Sequence, residues 1–477
     1  MILGFVSFLL KWDLKNLWIV QGHTRIQEAI SLRERPKGFL GLFTAFAWVY
    51  LLLNFLLLPL IRHWSFGTWF WDLAAMEQVL WRSSHGFGIT STAILNDPLT
   101  PLDFVFKQHL NLWLYPTSFF YRIFPFTESL LIAQSLALLL ALIPLWKIGG
   151  EIFGTKIPVI LLPLFYWCWQ AVHKVNVWDV HENAFIPVFS LWAYYFFLKK
   201  RWWLTFAFTL AVAFVKEDAW VLAGAMGFYF LGSKKKWFWA AGCVVLGFAV
   251  FASYGVYFNK VITLGERYGY LGNDFSQSLN AIKSNPFIFF QQLCLPEPRY
   301  FLWRLFLLGG GTWLLSGLAL IPIIPTFLEC ALSTNHGMQS FNNHYAITLA
   351  GPLFFAIACG LKKIENHKKL LVGVTLISIA QLYFSETNTM ASILGSDAWK
   401  NRKCMASLVE KIPETDAVYA QNPLASHLSK REILLLYKPG TSLTLDRAWI
   451  AAPEDVEIPA SFLVIAQDCG CKLARNF

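Results

Sequence analysis

The 477 residues are 56% hydrophobic and only 14% charged, against about 25% charge in an ordinary soluble domain, which argues against a water-soluble fold. The net charge of +10 comes from short Lys and Arg clusters between apolar runs, so it reads as positive-inside membrane topology and not as a nucleic-acid surface. The eight Cys show no CxxC or zinc spacing; four of them, Cys168, Cys243, Cys330 and Cys359, sit in apolar runs, and only Cys469 and Cys471 are placed for redox chemistry.

In chain order, residues 1–38 read as a cytoplasmic or interfacial segment, whose opening apolar stretch is too short to span and lacks the flanks of a signal peptide. A spanning helix needs roughly 20 apolar residues, and about 17 suffice. That criterion gives about eleven spans: 39–61, 128–148, 156–172, 184–198, 202–216, 219–232, 237–259, 301–316, 317–332, 346–361 and 369–385. The short ones are expected to be tilted, re-entrant or shielded by neighbours.

Basic residues collect in alternate loops: Lys11 to Lys37, Lys147 and Lys156, Lys199–Arg201, Lys234–Lys236, and Lys362 to Lys369. An inner turn is expected at Gly309–Gly311, the one such turn without a base. This pattern puts the N-terminus inside and residues 386–477 outside, as a small soluble α/β domain packed on the outer face. In it, strands are expected near 416–420 and 461–466, and helices at 397–411 and 423–429. The whole is thus an all-α polytopic membrane protein with an extracytoplasmic α/β tail, located in the bacterial inner membrane.

The outer loops 62–127 and 260–300 exceed the roughly 15 residues beyond which loops are functional or disordered. Their aromatic and apolar residues at helical spacing favour order, with amphipathic helices expected at 72–84 and 101–122. Ionisable residues concentrate on this side. Asp72 and Glu77 follow the first span directly, where an acid can take a proton beside a lipid-borne substrate; Asp72 also fits a helix cap. His109 lies in the same loop. Asp179, His181 and Glu182 sit within four residues and could hold a divalent cation, Mg or Mn, or activate a hydroxyl. Lys216-Glu217-Asp218 lies between two apolar runs with no Gly or Pro, a costly position unless the charges line a polar cavity. Arg267 and Arg299 supply guanidinium groups suited to phosphate, although Arg299 is as well suited to snorkelling. His344 and Tyr345 could meet sugar hydroxyls. No nucleotide-binding, HExxH or GxSxG motif is present.

The arrangement resembles the GT-C class of membrane glycosyltransferases, and more closely a bacterial predicted-membrane-protein family of unknown function in that clan. The likeness rests on Trp71-Asp72-Leu-Ala-Ala-Met-Glu77-Gln78, His109 ahead of Tyr115-Pro116, Asp179-Val-His181-Glu182, Lys216-Glu217-Asp218, Arg267-Tyr268-Gly-Tyr270, His344-Tyr345, and Ile412-Pro-Glu-Thr-Asp-Ala-Val with His427-Leu-Ser-Lys-Arg431. Trp71, Ala74 and Glu77 stand where the family's first motif carries Phe, Gly and Asp; Asp72 is retained.

The resemblance implies a polyprenyl-phosphate-linked sugar donor, an acceptor glycan, lipid or protein at the outer leaflet, and Asp72 as general base. Glu217 and Asp218 would join it at the catalytic centre. Glu77, His109, Lys216, Arg267, Tyr270, Arg299, His344 and Tyr345 would bind substrate, with Arg267 or Lys216 neutralising the lipid phosphate. Two other readings stay open: a transporter or flippase, since intramembrane charges also mark transport paths, and a non-catalytic scaffold of the same fold.

Overall fold

The computed structural model describes residues 39–477 apart from 95–96, 98, 100, 104, 106–108, 155–157, 258–266, 382–389, 441–442, 444, 446 and 477. The expected N-terminal segment 1–38 and the boundary near 386 lie outside the described residues. From Phe55 onward the chain forms one compact unit.

Three described helices are long and apolar enough to cross a bilayer: Thr127–Phe153, Trp237–Tyr254 and Ala346–Ile364. Val49–Trp64, Pro158–Cys168, Trp202–Ala213, Ala219–Gly232 and Gly317–Ala331 are shorter apolar helices. The eleven expected runs therefore do not all appear as full-length helices, and backbone chemistry explains part of the shortfall. Pro163 lies inside Pro158–Cys168 and Pro322 inside the 3-10 segment Gly317–Ile323. In place of a span at 301–316, a helix at Pro296–Leu307 gives way to Gly309, Gly310 and Gly311 at φ of 66°, 55° and 70°. Glycine adopts this left-handed backbone without steric cost, and three in a row end the helix.

Ala346–Ile364 is enclosed along most of its length, whereas Trp237–Tyr254 is exposed along most of its own. Gly224 and Gly247 let that outer helix touch Ala219–Gly232 backbone to backbone. An added Cβ at Gly224 would sit 2.6 Å from the Cys243 carbonyl oxygen, and one at Gly247 2.5 Å from that of Trp220. Helices in lipid associate through such close packing.

The loop after the first helix folds into a π-helical turn, Phe70–Ala74, and a helix, Ala75–Ser84. Of the stretch 101–122 expected to be helical, Leu114–Ile123 forms an α-helix among the described residues. Upstream of it, β2 (Leu102–Asp103) pairs antiparallel with β1 (Thr90–Ser91).

In the C-terminal region a helix at Asp397–Val409, capped by the Ser396 hydroxyl, precedes a five-stranded mixed sheet. Its strands are β3 (Val418–Ala420), β4 (Leu434–Leu436), β5 (Trp449–Pro453), β6 (Leu463–Asp468) and β7 (Cys471–Arg475) in the order β4-β3-β5-β7-β6. β3 runs parallel to β4 and β5, while β7 is antiparallel to β5 and β6. Of the expected helix 423–429 only a 3-10 turn, Ala425–His427, forms.

This domain is more than an appendage. Phe66, Phe70, Ala74, Ala75 and Ala93 of the first loop share one core with Met405, Leu408, Ile412, Val418, Leu434 and Trp449. Cys469 is bonded to Cys404, while Cys471, also singled out from the sequence, is a buried free thiol.

Candidate functional site

Asp72 sits in the π-helical turn, a form enriched at functional sites because it re-aims a side chain within a helix. Its Oδ2 accepts the Trp178 indole N–H at 3.1 Å, and its Oδ1 lies 3.4 Å from His181 Nε2. The side chain is 24% exposed. Burial alone would raise its pKa, but His181, the Trp178 indole and Arg62 together hold it below the ordinary carboxylate value.

Two neighbouring acids differ. Asp179 is fully enclosed, with Oδ1 taken by the Arg62 guanidinium and Oδ2 by the Trp69 backbone N–H at 2.7 Å. Burial nevertheless pushes its pKa up, against the pull of Arg62. Glu77 has no exposure; it accepts from Tyr121 at 3.0 Å, from Thr127 at 2.7 Å and 2.8 Å, and from Ser429 at 2.6 Å. Burial raises its pKa too, in spite of Lys430 and these donors. Glu77, expected to bind substrate, thus ties the first loop to the C-terminal domain, because every polar partner needed to bury a carboxylate is already there.

From Asp72 the polar cluster runs through stacked rings. His181 stacks on His344 with centroids 3.6 Å apart, and His344 packs on Tyr345 at 4.1 Å. The Arg267 guanidinium lies 5.6 Å from the Tyr345 ring. His344 is held neutral, well below its ordinary pKa, first by burial and then by the positive surroundings of His181, Lys216, Arg267 and His109. His181 and Tyr345 lie directly against this imidazole.

Lys216, nearly buried, is 3.9 Å from Glu182. Glu217 accepts from the Leu110 backbone N–H at 3.1 Å and pairs with His109 at 2.8 Å. Burial would raise Glu217, but His109 and Lys216 hold it well below its usual range. Both of its oxygens thus anchor the 109–110 segment. Asp218 contributes to the negative surroundings that keep Arg267 charged. Its Oδ1, His344 Nδ1 and the Tyr270 hydroxyl are buried with no hydrogen-bond partner among the described residues. Arg299 stands apart, exposed, with Nε donating to Leu295 on its own helix.

The expected metal triad does not assemble. Asp179 faces Arg62, His181 faces Asp72, and Glu182 faces Lys216. Among the described residues, the one group of three such ligands close enough to hold an ion is Cys404, Asp468 and Cys469, and both of its cysteines are in the disulfide. The residues do not fit a three-ligand cation site.

Sequence reasoning missed Arg62, Trp178 and Gln134. Gln134 accepts from His181 N at 2.7 Å and so fixes the loop that carries that imidazole. Arg62 reads as an interfacial charge at a helix end, and Trp178 is one of 22 Trp. Neither carried a local signal.

A family model described as Predicted membrane protein (DUF2079) matches residues 62–458. Comparison with curated proteins finds no match. Among solved structures the chain is similar to ArnT from Cupriavidus metallidurans in the apo state, with TM-score 0.52, 10% identity, and coverage of 91% of this chain and 98% of that one. It is also similar to that protein bound to undecaprenyl phosphate, with TM-score 0.49 and the same identity and coverage. A third is the Archaeoglobus fulgidus oligosaccharyltransferase complex with Zn and sulfate, with TM-score 0.41, 11% identity, and coverage of 84% of this chain and 67% of that one. These neighbours are GT-C glycosyltransferases. At such identity the likeness to the apo structure is one of fold, and it runs nearly end to end.

Proposed function

The chain belongs to the DUF2079 family of predicted membrane proteins, and on that premise, with a GT-C fold, we propose that it is a membrane glycosyltransferase. It takes a sugar from a polyprenyl-phosphate donor and gives it to an acceptor hydroxyl at the outer face of the membrane. The observation that carries this is the contrast among the acids near the first loop: Asp179 and Glu77 are enclosed and saturated, whereas Asp72 is partly exposed, ionised and oriented by Trp178 and His181. The Cys404–Cys469 disulfide supports an extracytoplasmic C-terminal domain, since such bonds persist in oxidising compartments.

In this reading Asp72 accepts a hydrogen bond from the acceptor hydroxyl and takes its proton as that oxygen attacks the anomeric carbon. The bond from the anomeric carbon to the lipid phosphate breaks, its electron pair leaving on the phosphate oxygen. A carboxylate held low is a weak base in the ground state, so its help grows as the C–O bond forms and the hydroxyl becomes acidic. Arg267, beside Tyr345, and Lys216 would offset the charge growing on the phosphate. His181, 3.4 Å from Asp72, would receive hydrogen-bonding demand when Asp72 becomes protonated.

The test is transfer by the full-length protein in lipid, given a panel of polyprenyl-phosphate sugars. Asp72→Asn should abolish transfer while the protein still folds. Unaltered transfer would reject Asp72 as the base.

A further inference from the structure

The motif around His427 has no part in this chemistry, yet it lies along the loop that carries Asp72. The first N–H groups of a helical turn have no partner within it. Here two successive ones are pinned from distant parts of the chain: the Trp69 N–H donates to Asp179 Oδ2 at 2.7 Å, and the Phe70 N–H donates to Asn422 Oδ1 at 2.9 Å. On either side, Ser426 bonds the Thr68 hydroxyl at 2.7 Å and Ser429 donates to Glu77 at 2.6 Å. The His427 ring stacks on Phe66 with centroids 3.9 Å apart. Asp72 therefore lies in a turn held between the membrane-embedded chain and the C-terminal domain.

We propose that Asn422 is a positioning residue: its side-chain oxygen fixes the π-helical turn at Phe70 and so aims the Asp72 carboxylate, which makes the C-terminal domain part of the working site. This rests on the transferase reading above. Asn422 is otherwise exposed, so shortening it leaves the domain core untouched.

The experiment uses the full-length protein in lipid nanodiscs and measures transfer kinetics together with hydrogen exchange at residues 70–74. Asn422→Ala should lower kcat about tenfold or more, because small misplacements of a reacting group are costly, and should leave donor KM within about twofold, since ground-state binding is spared. Exchange at 70–74 should rise. Asn422→Asp keeps the acceptor oxygen and should recover most of both losses. Wild-type kcat and exchange in Asn422→Ala would overturn the proposal, as would faster exchange with unchanged kcat. If Asn422→Ala does not fold, Ser426→Ala is read in the same way. If the wild-type protein transfers no sugar, the transferase reading falls and the exchange arm decides alone: faster exchange keeps the tether, and unchanged exchange removes it.

Discussion

Asp72 and Glu77 lie five residues apart on one stretch of loop, and the structure treats them as opposites. Glu77 has three hydroxyl-bearing partners from three parts of the chain and no contact with solvent. Asp72 has one indole donor, an imidazole at 3.4 Å and a quarter of its side chain open. A carboxylate whose acceptor sites are all filled has nothing left for a substrate, and its value is structural. One with spare acceptor capacity in a partly dry setting is free to meet a substrate and useful for chemistry.

The largest effect that sharpens the contrast is on turnover. Asp72→Asn should cost about 10²- to 10⁴-fold in transfer rate with a melting temperature close to wild type. Glu77→Ala should do the reverse. It leaves Tyr121, Thr127 and Ser429 without their shared acceptor, and breaking such a buried cluster costs about 3–5 kcal/mol. Thermal unfolding of the full-length protein measures this, and a wild-type melting temperature for Glu77→Ala would erase the distinction.

A second test uses pH. Enclosure pushes the His427 pKa down to about 4, below the roughly 6.5 of a free histidine. Between those values the unfolded chain binds more protons than the folded one, so stability is full above about pH 6.5 and is lost as pH falls toward about 4. At about 1.4 kcal/mol per pKa unit the loss is at most about 3 kcal/mol. It should register as a melting temperature that falls across this window, and His427→Phe should make the fall shallower, the remainder coming from other buried imidazoles such as His344. Asp72, held low, stays ionised throughout the window. Loss of activity there that tracks His427, and not Asp72, would tie the acid limb to docking of the C-terminal domain.

Much of the polar cluster was legible because an apolar chain cannot scatter charges: those between its apolar runs must share a polar place. That logic pointed to Lys216, Glu217 and Asp218, and the structure buries Lys216 3.9 Å from Glu182. What it could not tell is which acids are already satisfied. Ser429 is 352 residues from Glu77, and Arg62 is 117 from Asp179, so saturation leaves no local pattern. The Asp179-Val-His181-Glu182 spacing looked like a ligand set for the same reason, its three partners being remote. Strands β4, β5 and β7 went unread, whereas β3, as short as β4, fell within an expected strand. Of the helices, the apolar runs gave most positions but not the 301–316 span or the lengths, which proline and the triple glycine cut in part from within.

The smallest expected effect separates two arginines that the sequence could not rank. Arg267 lies half-buried over Tyr345, and neighbouring Tyr345, Glu329 and Asp218 keep it fully charged against the cost of burial. Arg299 is exposed, and its hydrogen bond turns back to its own helix at Leu295. Phosphate held in a partly dry site gains most from a fixed guanidinium, while a solvated one is screened and mobile. Arg267→Ala should therefore raise donor KM at least about tenfold, and Arg299→Ala should change it by less than about twofold, the scale expected of an exposed charge. Equal effects would mean that the donor phosphate is met by the general field of the protein surface, and the cluster around His344 would lose its claim to be the phosphate end of the site.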